Sequence, residues 1–360
     1  MKLKTEPERE DWLSSLSKAA RLRVEDLYEY NTSPSAQMLG EGRFASVFPG
    51  RRRREKISSQ SNKQAGTEKK DNVQGILKKK PSFSSFSNLT MHLDEDEYEC
   101  ALKIIDKDKF WNRVKKDKER GDSIVREISV QAALQSGGDV YPGFLRVKSF
   151  FETLHKVVLE LELLNGIDLF RYISSKQKME QKVDEVEAAR IMYDILSCLQ
   201  TMKSNGIAHR DIKPANILIA NKDDPYGVKV KLGDFGMATF VGEDNLVRGR
   251  CGTPGYVAPE IMAAKKSEGY KNSVDIFSAG VIMYILLCGY EPFYGESEKE
   301  LIAENLKGKV DYPDDDWATV SVEGRHLVQR MLERDYKKRI LPSEALQHAW
   351  IKRRAGKTKN

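Results

Sequence analysis

His209-Arg210-Asp211-Ile212-Lys213-Pro214-Ala215-Asn216 places a carboxylate, a lysine and an amide within one short stretch. One acid in a loop is ordinarily just solvated. Here Asp234-Phe235-Gly236 begins eighteen residues past Asn216, and Cys251-Gly-Thr-Pro-Gly-Tyr-Val-Ala-Pro-Glu260 comes after it. Three ordered blocks at these spacings are not a chance arrangement. Short strand-like runs at 217–219 and 228–232 fall between the first two blocks.

Working upstream, Gly40-x-Gly42-x-x-Ala45-x-Val47 lies in a strand, glycine turn, strand pattern over 37–48. Two glycines there let backbone approach phosphates closely, though a plain hairpin turn reads the same way. Ala101-Leu102-Lys103 falls in a β-like run, 99–105. A lysine on an apolar strand needs a partner or an anion unless it snorkels to the surface. Glu127, in a helical stretch at 122–135, is a candidate partner; an ordinary exposed acid is the alternative.

The remaining pattern segregates. Residues 156–163 are strand-like. Asp184 and Glu187 have capping-box spacing before a helix bearing Val186, Ala189, Met192, Ile195, Leu196, Leu199 and Met202, and Gly206 sits at its expected end. Residues 274–288 are apolar nearly all round, the mark of a buried helix, and a last helix starts near Ser343. A β-rich N-terminal third followed by a mainly helical remainder points to an α+β class rather than a doubly wound sheet.

Composition narrows the function classes. The 360 residues carry a net charge of +6, with 40% hydrophobic and 32% charged residues, which is a globular composition. The longest apolar run, 279–289, falls short of the ~18 residues that a membrane helix needs. The start, MKLKTEPEREDW, has no apolar core for a secretory signal. Cys100, Cys198, Cys251 and Cys288 lie far apart, so neither a zinc site nor a disulfide framework is expected, and cytosol or nucleus is the expected compartment. Residues 51–80 hold eleven Lys or Arg against three acids, leaving the rest of the chain at −2. The globular part therefore does not read as a nucleic-acid binder. Residues 50–97 read as a flexible basic insertion, with Arg51–Arg54 either a solvated loop or an import or nucleic-acid patch. Trp12, Leu16, Ala20, Val24 and Leu27 are spaced as a short amphipathic helix over 12–27.

With the three blocks in hand, residues 36–351 resemble a eukaryotic protein kinase catalytic domain. DIKPAN (211–216) is similar to the serine/threonine-specific kinases. CGTPGYVAPE (251–260), SVDIFSAGVIMYILLCGYEPF (273–293) and RILPSEALQHAWI (339–351) resemble the calcium/calmodulin-dependent group. Nothing past 351 resembles a calmodulin-binding segment or an EF-hand, so calcium control is not carried over. The resemblance implies a two-lobed fold. An N-terminal extension (1–35) precedes a small β-rich lobe (36–164, with the insertion), then a larger helical lobe (165–351) and a basic tail (352–360).

The same resemblance assigns roles, with ATP and Mg²⁺ as cofactors and proteins bearing Ser or Thr acceptors as partners. Leu39, Gly40, Glu41, Gly42, Arg43, Phe44, Ala45, Ser46 and Val47 would form the turn over the phosphates. Lys103 would touch the α- and β-phosphates, held by Glu127. Ala101, Leu161, Glu162 and Leu164 would surround adenine, and Asp168 would lie near the ribose. Asn216 and Asp234 would hold Mg²⁺. Asp211 would orient the substrate hydroxyl and take its proton, while Lys213 would steady the γ-phosphate. Glu260 would pair with Arg339, Asp275 would brace the His209–Arg210 backbone, and Phe235 would stack on His209. A pseudokinase-like scaffold is the alternative; the presence of Lys103, Glu127, Asp211, Asn216 and Asp234 together argues for the enzyme.

Departures from the family pattern matter. Gln131 stands where an apolar residue is usual, and a polar side chain there is expected to loosen the active arrangement. Ala215 stands where Glu is frequent in kinases that read basic residues, leaving Asp168 to supply part of that preference. Gly249 stands where a regulatory phosphate acceptor usually falls. No activating phosphate is therefore expected in 237–257, with Glu243 or Asp244 available to fold back on Arg210. Control is expected in the insertion, the N-terminal helix or a regulatory partner, and Ser82, Ser84, Ser85 and Ser87 are expected autophosphorylation targets.

Overall fold

Residues 100–106 alternate faces, and that alternation divides the small lobe into an outer and an inner apolar layer. The computed structural model describes residues 23–31, 38–53, 98–136, 141–164, 166–221, 228–264 and 268–355. Cys100, Leu102 and Ile104 join Val24, Tyr28 and Val158 in the outer layer. Ala101 and Ile105 join Ala45, Val157, Leu159 and Leu161 in the inner one. Period-two alternation is what a sheet buried on both faces requires.

The elements of the small lobe run α1 (Val24–Leu27), β1 (Tyr28–Tyr30), β2 (Gly40–Glu41), β3 (Ala45–Arg52), β4 (Cys100–Asp106), α2 (Lys107–Lys115), α3 (Ser123–Gln135), β5 (Val147–Glu152) and β6 (Lys156–Glu162). The sheet order is β1-β3-β4-β6-β5, with β2 also on β3, and every pair is antiparallel. Lys103 lies opposite Val47 on one side and Leu159 on the other.

The expected insertion boundary at residue 50 is corrected. Gly50, Arg51 and Arg52 remain in β3, opposite Tyr30, Glu29 and Tyr28. The reason is a buried carboxylate: Glu160 accepts from Arg52 Nε, from Tyr28 Oη at 2.8 Å and from Ser149 Oγ at 2.7 Å. Burial works against its charge, yet these donors hold its carboxyl below the usual range. Arg51 pairs with Glu29 at 2.9 Å, and Arg53 reaches the same carboxylate. Arg51 and Arg52 are therefore strand residues and Arg53 directly follows the strand, each with an acidic partner. Residues 54–97, with the serines at 82–87, lie outside the described residues. So do Trp12, Leu16 and Ala20 of the expected N-terminal helix, whose described part is α1.

The large lobe continues with α4 (Leu169–Lys178), α5 (Glu185–Ser204), β7 (Ile207–Ala208), β8 (Ile217–Asn221), β9 (Lys229–Leu232), β10 (Thr239–Phe240), β11 (Val247–Arg248), α6 (Pro259–Ala263), β12 (Gly269–Tyr270), α7 (Val274–Cys288), α8 (Glu298–Lys307), α9 (Asp314–Trp317), α10 (Val322–Met331), α11 (Pro342–Gln347) and α12 (Ala349–Arg354). Three two-stranded pairs, β7 with β10, β8 with β9 and β11 with β12, carry the loops between the helices. The fold class is thus the expected α+β, a sheet lobe followed by a helical lobe.

Helix α7 is buried along its whole length, as its all-round apolarity implies, and Gly289 ends it with φ +94°. Asp184 caps α5 by accepting from the backbone N–H groups of Val186 and Glu187. Glu187 does not close a reciprocal box; its carboxylate takes Tyr172 Oη and, at 3.0 Å, Lys176. Helix α2 is not legible in the sequence pattern, because among its lysines only Phe110 is buried.

Candidate active site

The site sits where β4 and α3 of the small lobe face the β7–β8 and β9–β10 loops of the large one. Lys103 Nζ lies 2.5 Å from Glu127 Oε1 and 3.2 Å from Asp234 Oδ1, so one ammonium joins β4, α3 and the Asp234 loop. Burial opposes the charge on Lys103, but the two carboxylates more than offset it and hold its pKa above the ordinary range. The Lys103 ammonium in turn holds the Asp234 carboxyl down to about 2. Burial pushes the Glu127 carboxyl up against the pull of Lys103.

Asp211 is buried at the centre of a second cluster. Thr253 Oγ1 donates to its Oδ1 at 2.6 Å, and Lys213 Nζ lies 2.9 Å from its Oδ2. Lys213 also donates to Thr253 Oγ1 at 3.0 Å. Asn216 Nδ2 donates to the Asp211 carbonyl at 2.7 Å and to Oδ2 at 3.1 Å. A carboxylate has about four lone-pair positions, so Asp211 keeps capacity for a further hydroxyl donor. Lys213 thus stands on Asp211.

The backbone under Asp211 is braced from below. Asp275, on α7, accepts from the His209 and Arg210 N–H groups, each at 2.7 Å. Burial pushes its carboxyl up. His209 Nε2 lies 3.1 Å from the Gly233 carbonyl. A carbonyl only accepts, so Nε2 carries the proton and Nδ1 is left to accept from Asp211 N at 3.3 Å. One imidazole thereby ties the Asp211 loop to the residue preceding Asp234. Phe235 packs on His209 at 5.3 Å with the rings tilted 57° rather than stacked, and Phe144 meets Phe235 edge-on. Arg210 and Asp234 both hold positive φ, +69° and +52°, a conformation that costs non-glycine residues and that the surrounding bonds must enforce.

The turn over 39–47 is tight. Gly40 lies opposite Val47 and Glu41 opposite Ser46, and Gly42 N donates to the Ala45 carbonyl at 2.7 Å. Leu39 and Val47 pack partly buried with Ala45, Ala101 and Leu161, an apolar wall of the kind a flat ring requires. Arg43 and Phe44 turn elsewhere: Arg43 pairs with Glu119 at 2.8 Å and Phe44 meets Phe110 edge-on. The Glu162 side chain is also occupied, by Lys231 at 2.7 Å and by Arg146 N. Asp168 caps α4 through Arg171 N at 2.8 Å. Leu164 is half-buried after β6.

The oxygen donors suit a hard divalent cation. Asn216 turns its amide nitrogen to Asp211, which leaves Oδ1 outward, and Asp234 uses only Oδ1 on Lys103 and Gly236. Among the described residues neither Asn216 Oδ1 nor Asp234 Oδ2 takes a hydrogen bond. An amide oxygen and a half-exposed carboxylate oxygen fit Mg²⁺.

One expectation needs correction. Asp244 does not fold onto Arg210; it pairs with Arg248, four residues on, and accepts from Leu246 N. Gln131 is not a bare polar intrusion, since its Nε2 lies 3.4 Å from Glu127 Oε1 in a buried setting. The Glu260–Arg339 pair is present and bidentate, at 2.6 and 3.0 Å. Sequence reasoning missed Tyr270, whose hydroxyl donates to the Gly249 carbonyl at 2.7 Å beside Arg210. It also missed Arg126, whose Nε donates to the Ala238 carbonyl and ties α3 to the segment after Asp234.

Comparison with known proteins agrees with this geometry. The protein kinase domain family matches residues 84–351. The match starts after β3, although β2 and β3 belong to the same sheet. Over 297 residues, 82% of this chain, it is 34% identical to a probable serine/threonine-protein kinase, fhkC, of Dictyostelium discoideum, and spans 47% of that protein. It is 33% identical to calcium/calmodulin-dependent protein kinase type 1 of Macrobrachium nipponense, with 87% of this chain and 85% of the relative covered. Myosin light chain kinase A of Dictyostelium discoideum is 32% identical, over 70% of this chain and 79% of the relative. The chain thus spans about half the length of the first relative and most of the other two.

Proposed function

This chain belongs to the protein kinase family, in its serine/threonine class, and from that premise we propose that it transfers the γ-phosphate of ATP to Ser or Thr hydroxyls of protein substrates. The carrying observation is the pair of clusters Glu127–Lys103–Asp234 and Thr253–Asp211–Asn216.

Phosphoryl transfer asks for positioning and charge neutralisation more than for covalent chemistry. Lys103, fixed by two carboxylates, presents one ammonium to the α- and β-phosphates. The backbone of the 39–47 turn covers the phosphates, and the wall of Ala45, Ala101 and Leu161 takes the adenine. Asn216 Oδ1 and Asp234 Oδ2 would hold Mg²⁺, which when bound supplies neutralisation of phosphate charge. Asp211 orients the incoming hydroxyl and accepts its proton as the oxygen bonds to the γ-phosphorus and the bond from that phosphorus to the bridging oxygen breaks, releasing ADP. Lys213, within reach of Asp211 and Thr253, follows the developing charge.

Asp168 is committed to capping α4 and to Arg171, and Ala215 offers no charge. A requirement for basic residues before the acceptor is therefore expected to be weak. The four free, mutually distant cysteines support a reducing compartment, cytosol or nucleus, and a role in signalling follows from the substrate class.

An arrayed-peptide assay with ATP and Mg²⁺ tests the reading. Phosphate on Ser or Thr peptides from the wild-type chain, absent with Asp211→Asn, supports it. No transfer to any peptide by the folded wild-type chain would overturn it.

A further inference from the structure

Glu119 lies in the bend between α2 and α3, outside every block that carries the chemistry, yet its side chain is only 6% exposed. A buried carboxylate must be paired to be tolerated. One oxygen, Oε2, lies 2.8 Å from Arg43 Nη1 in the turn between β2 and β3, an ion pair without a hydrogen bond's alignment. The other, Oε1, accepts from Ser123 Oγ at 2.6 Å and from Arg120 N at 3.2 Å.

Ser123 is the first residue of α3 and stands one helical turn before Glu127, the partner of Lys103. The Glu119 carboxylate thus bridges the turn that covers the phosphates to the start of the helix that holds the catalytic lysine. A second contact runs in parallel. Phe44 meets Phe110 edge-on at 5.2 Å, Phe110 meets Trp111 at 5.1 Å, and the Arg43 guanidinium lies over the Phe44 ring. Helix α2 carries the second of these contacts, with Phe110 fully buried. Arg43 also lies close enough for its charge to pull on the Glu127 carboxyl.

We propose that Glu119 is a positioning residue for nucleotide binding, holding the 39–47 turn closed through Arg43 and coupling that closure to α3 through Ser123. A turn tethered beforehand loses less freedom when phosphates bind beneath it. The tether acts on the nucleotide side only, since neither Glu119 nor Arg43 contacts Asp211, Lys213 or Thr253.

The proposal rests on the kinase reading above, and the test separates the two. Arg43→Gln, Glu119→Gln and the double variant are titrated calorimetrically with Mg²⁺ and a non-hydrolysable ATP analogue. KM for ATP, kcat and peptide KM are measured alongside. Each single variant is expected to weaken analogue binding and raise KM for ATP about fivefold, the lower end of ordinary coupling. Peptide KM should stay within twofold, and any fall in kcat should be smaller than the rise in KM for ATP. The double variant should be no worse than the singles, because one contact is lost in all three. Arg43→Lys should keep most of the affinity. Unchanged binding in Arg43→Gln, a variant of a half-exposed turn residue, would overturn the proposal, as would single effects that multiply in the double variant. A wild-type chain that binds the analogue but phosphorylates nothing would instead count against the kinase reading.

Discussion

Arg210 Nη1 donates to the carbonyl oxygen of Arg248 at 2.9 Å, and its Nε donates to the carbonyl of Met237 at 2.8 Å. The guanidinium of the residue before Asp211 is thus occupied by backbone from both ends of the 237–248 segment. Tyr270 completes the arrangement: its hydroxyl holds the Gly249 carbonyl, and β12 pairs with β11, Val247 opposite Tyr270. A Cβ at Gly249 would lie 3.7 Å from Arg210 Nη1, and φ there is +95°. The position faces the arginine but carries no hydroxyl and adopts a conformation that suits glycine.

Activity is therefore expected without phosphate in 237–257. Protein made in bacteria and treated with phosphatase should keep its peptide-kinase activity. Thr239 turns its hydroxyl to the Phe240 carbonyl within β10 and Thr253 is spent on Asp211, so phosphate on Thr253 would repel Asp211 and lower the rate. Activity that vanished on dephosphorylation and returned only with phosphate on Thr239 or Thr253 would refute this.

Gln131→Leu is expected to raise the melting temperature by about 2 °C, with activity kept or increased. The 3.4 Å bond to Glu127 is long, while an imperfectly paired buried amide costs on the order of 1 kcal/mol. Lower activity with a lower Tm would show that Glu127 depends on that donor.

Arg339→Ala should destabilise the large lobe by about 3–5 kcal/mol, because it strands a largely buried carboxylate and the carbonyls that Arg339 bonds. Arg339 is fully buried, bidentate on Glu260, bonded to the Ser273 carbonyl and stacked over Phe277 at 5.0 Å. Urea unfolding measures the loss, and a change below about 1 kcal/mol would contradict the assignment.

Asp234 sets a pH window. Its carboxyl is held at about 2 in the folded chain against an ordinary value of 3.8. A depressed carboxyl contributes stability that is fully present above the ordinary value and is lost as pH falls through the folded one. The stability gap between wild type and Asp234→Asn should be constant from neutral pH to about pH 4 and close towards pH 2. A gap that shrank between pH 7 and 5 would argue against the Lys103 pairing.

What could be read from sequence followed contiguity. Helix α7 was legible because all fifteen residues are buried and all but Asp275 and Ser278 are non-polar or aromatic, and the 209–216 block because its groups are neighbours along the chain. Contacts between distant residues were not. Glu162 and Lys231 lie 69 positions apart with no pattern joining them. Arg210 is held by carbonyls, which no side-chain motif announces. The end of β3 was misplaced because Arg51 and Arg52 resemble the basic run that follows, while the buried Glu160 that retains Arg52 lies 108 positions on.

Phosphotransfer through Asp211 is tested most directly by Asp211→Asn, assayed for nucleotide binding and for peptide phosphorylation in one preparation. The amide keeps an acceptor for Thr253 and nearly the same shape, but it cannot take the hydroxyl proton. Binding of Mg²⁺ with an ATP analogue should stay within a fewfold of wild type, while kcat falls by roughly 10²–10⁴-fold. A variant that bound nucleotide and kept more than half of the wild-type rate would contradict the assignment of Asp211 as the proton acceptor.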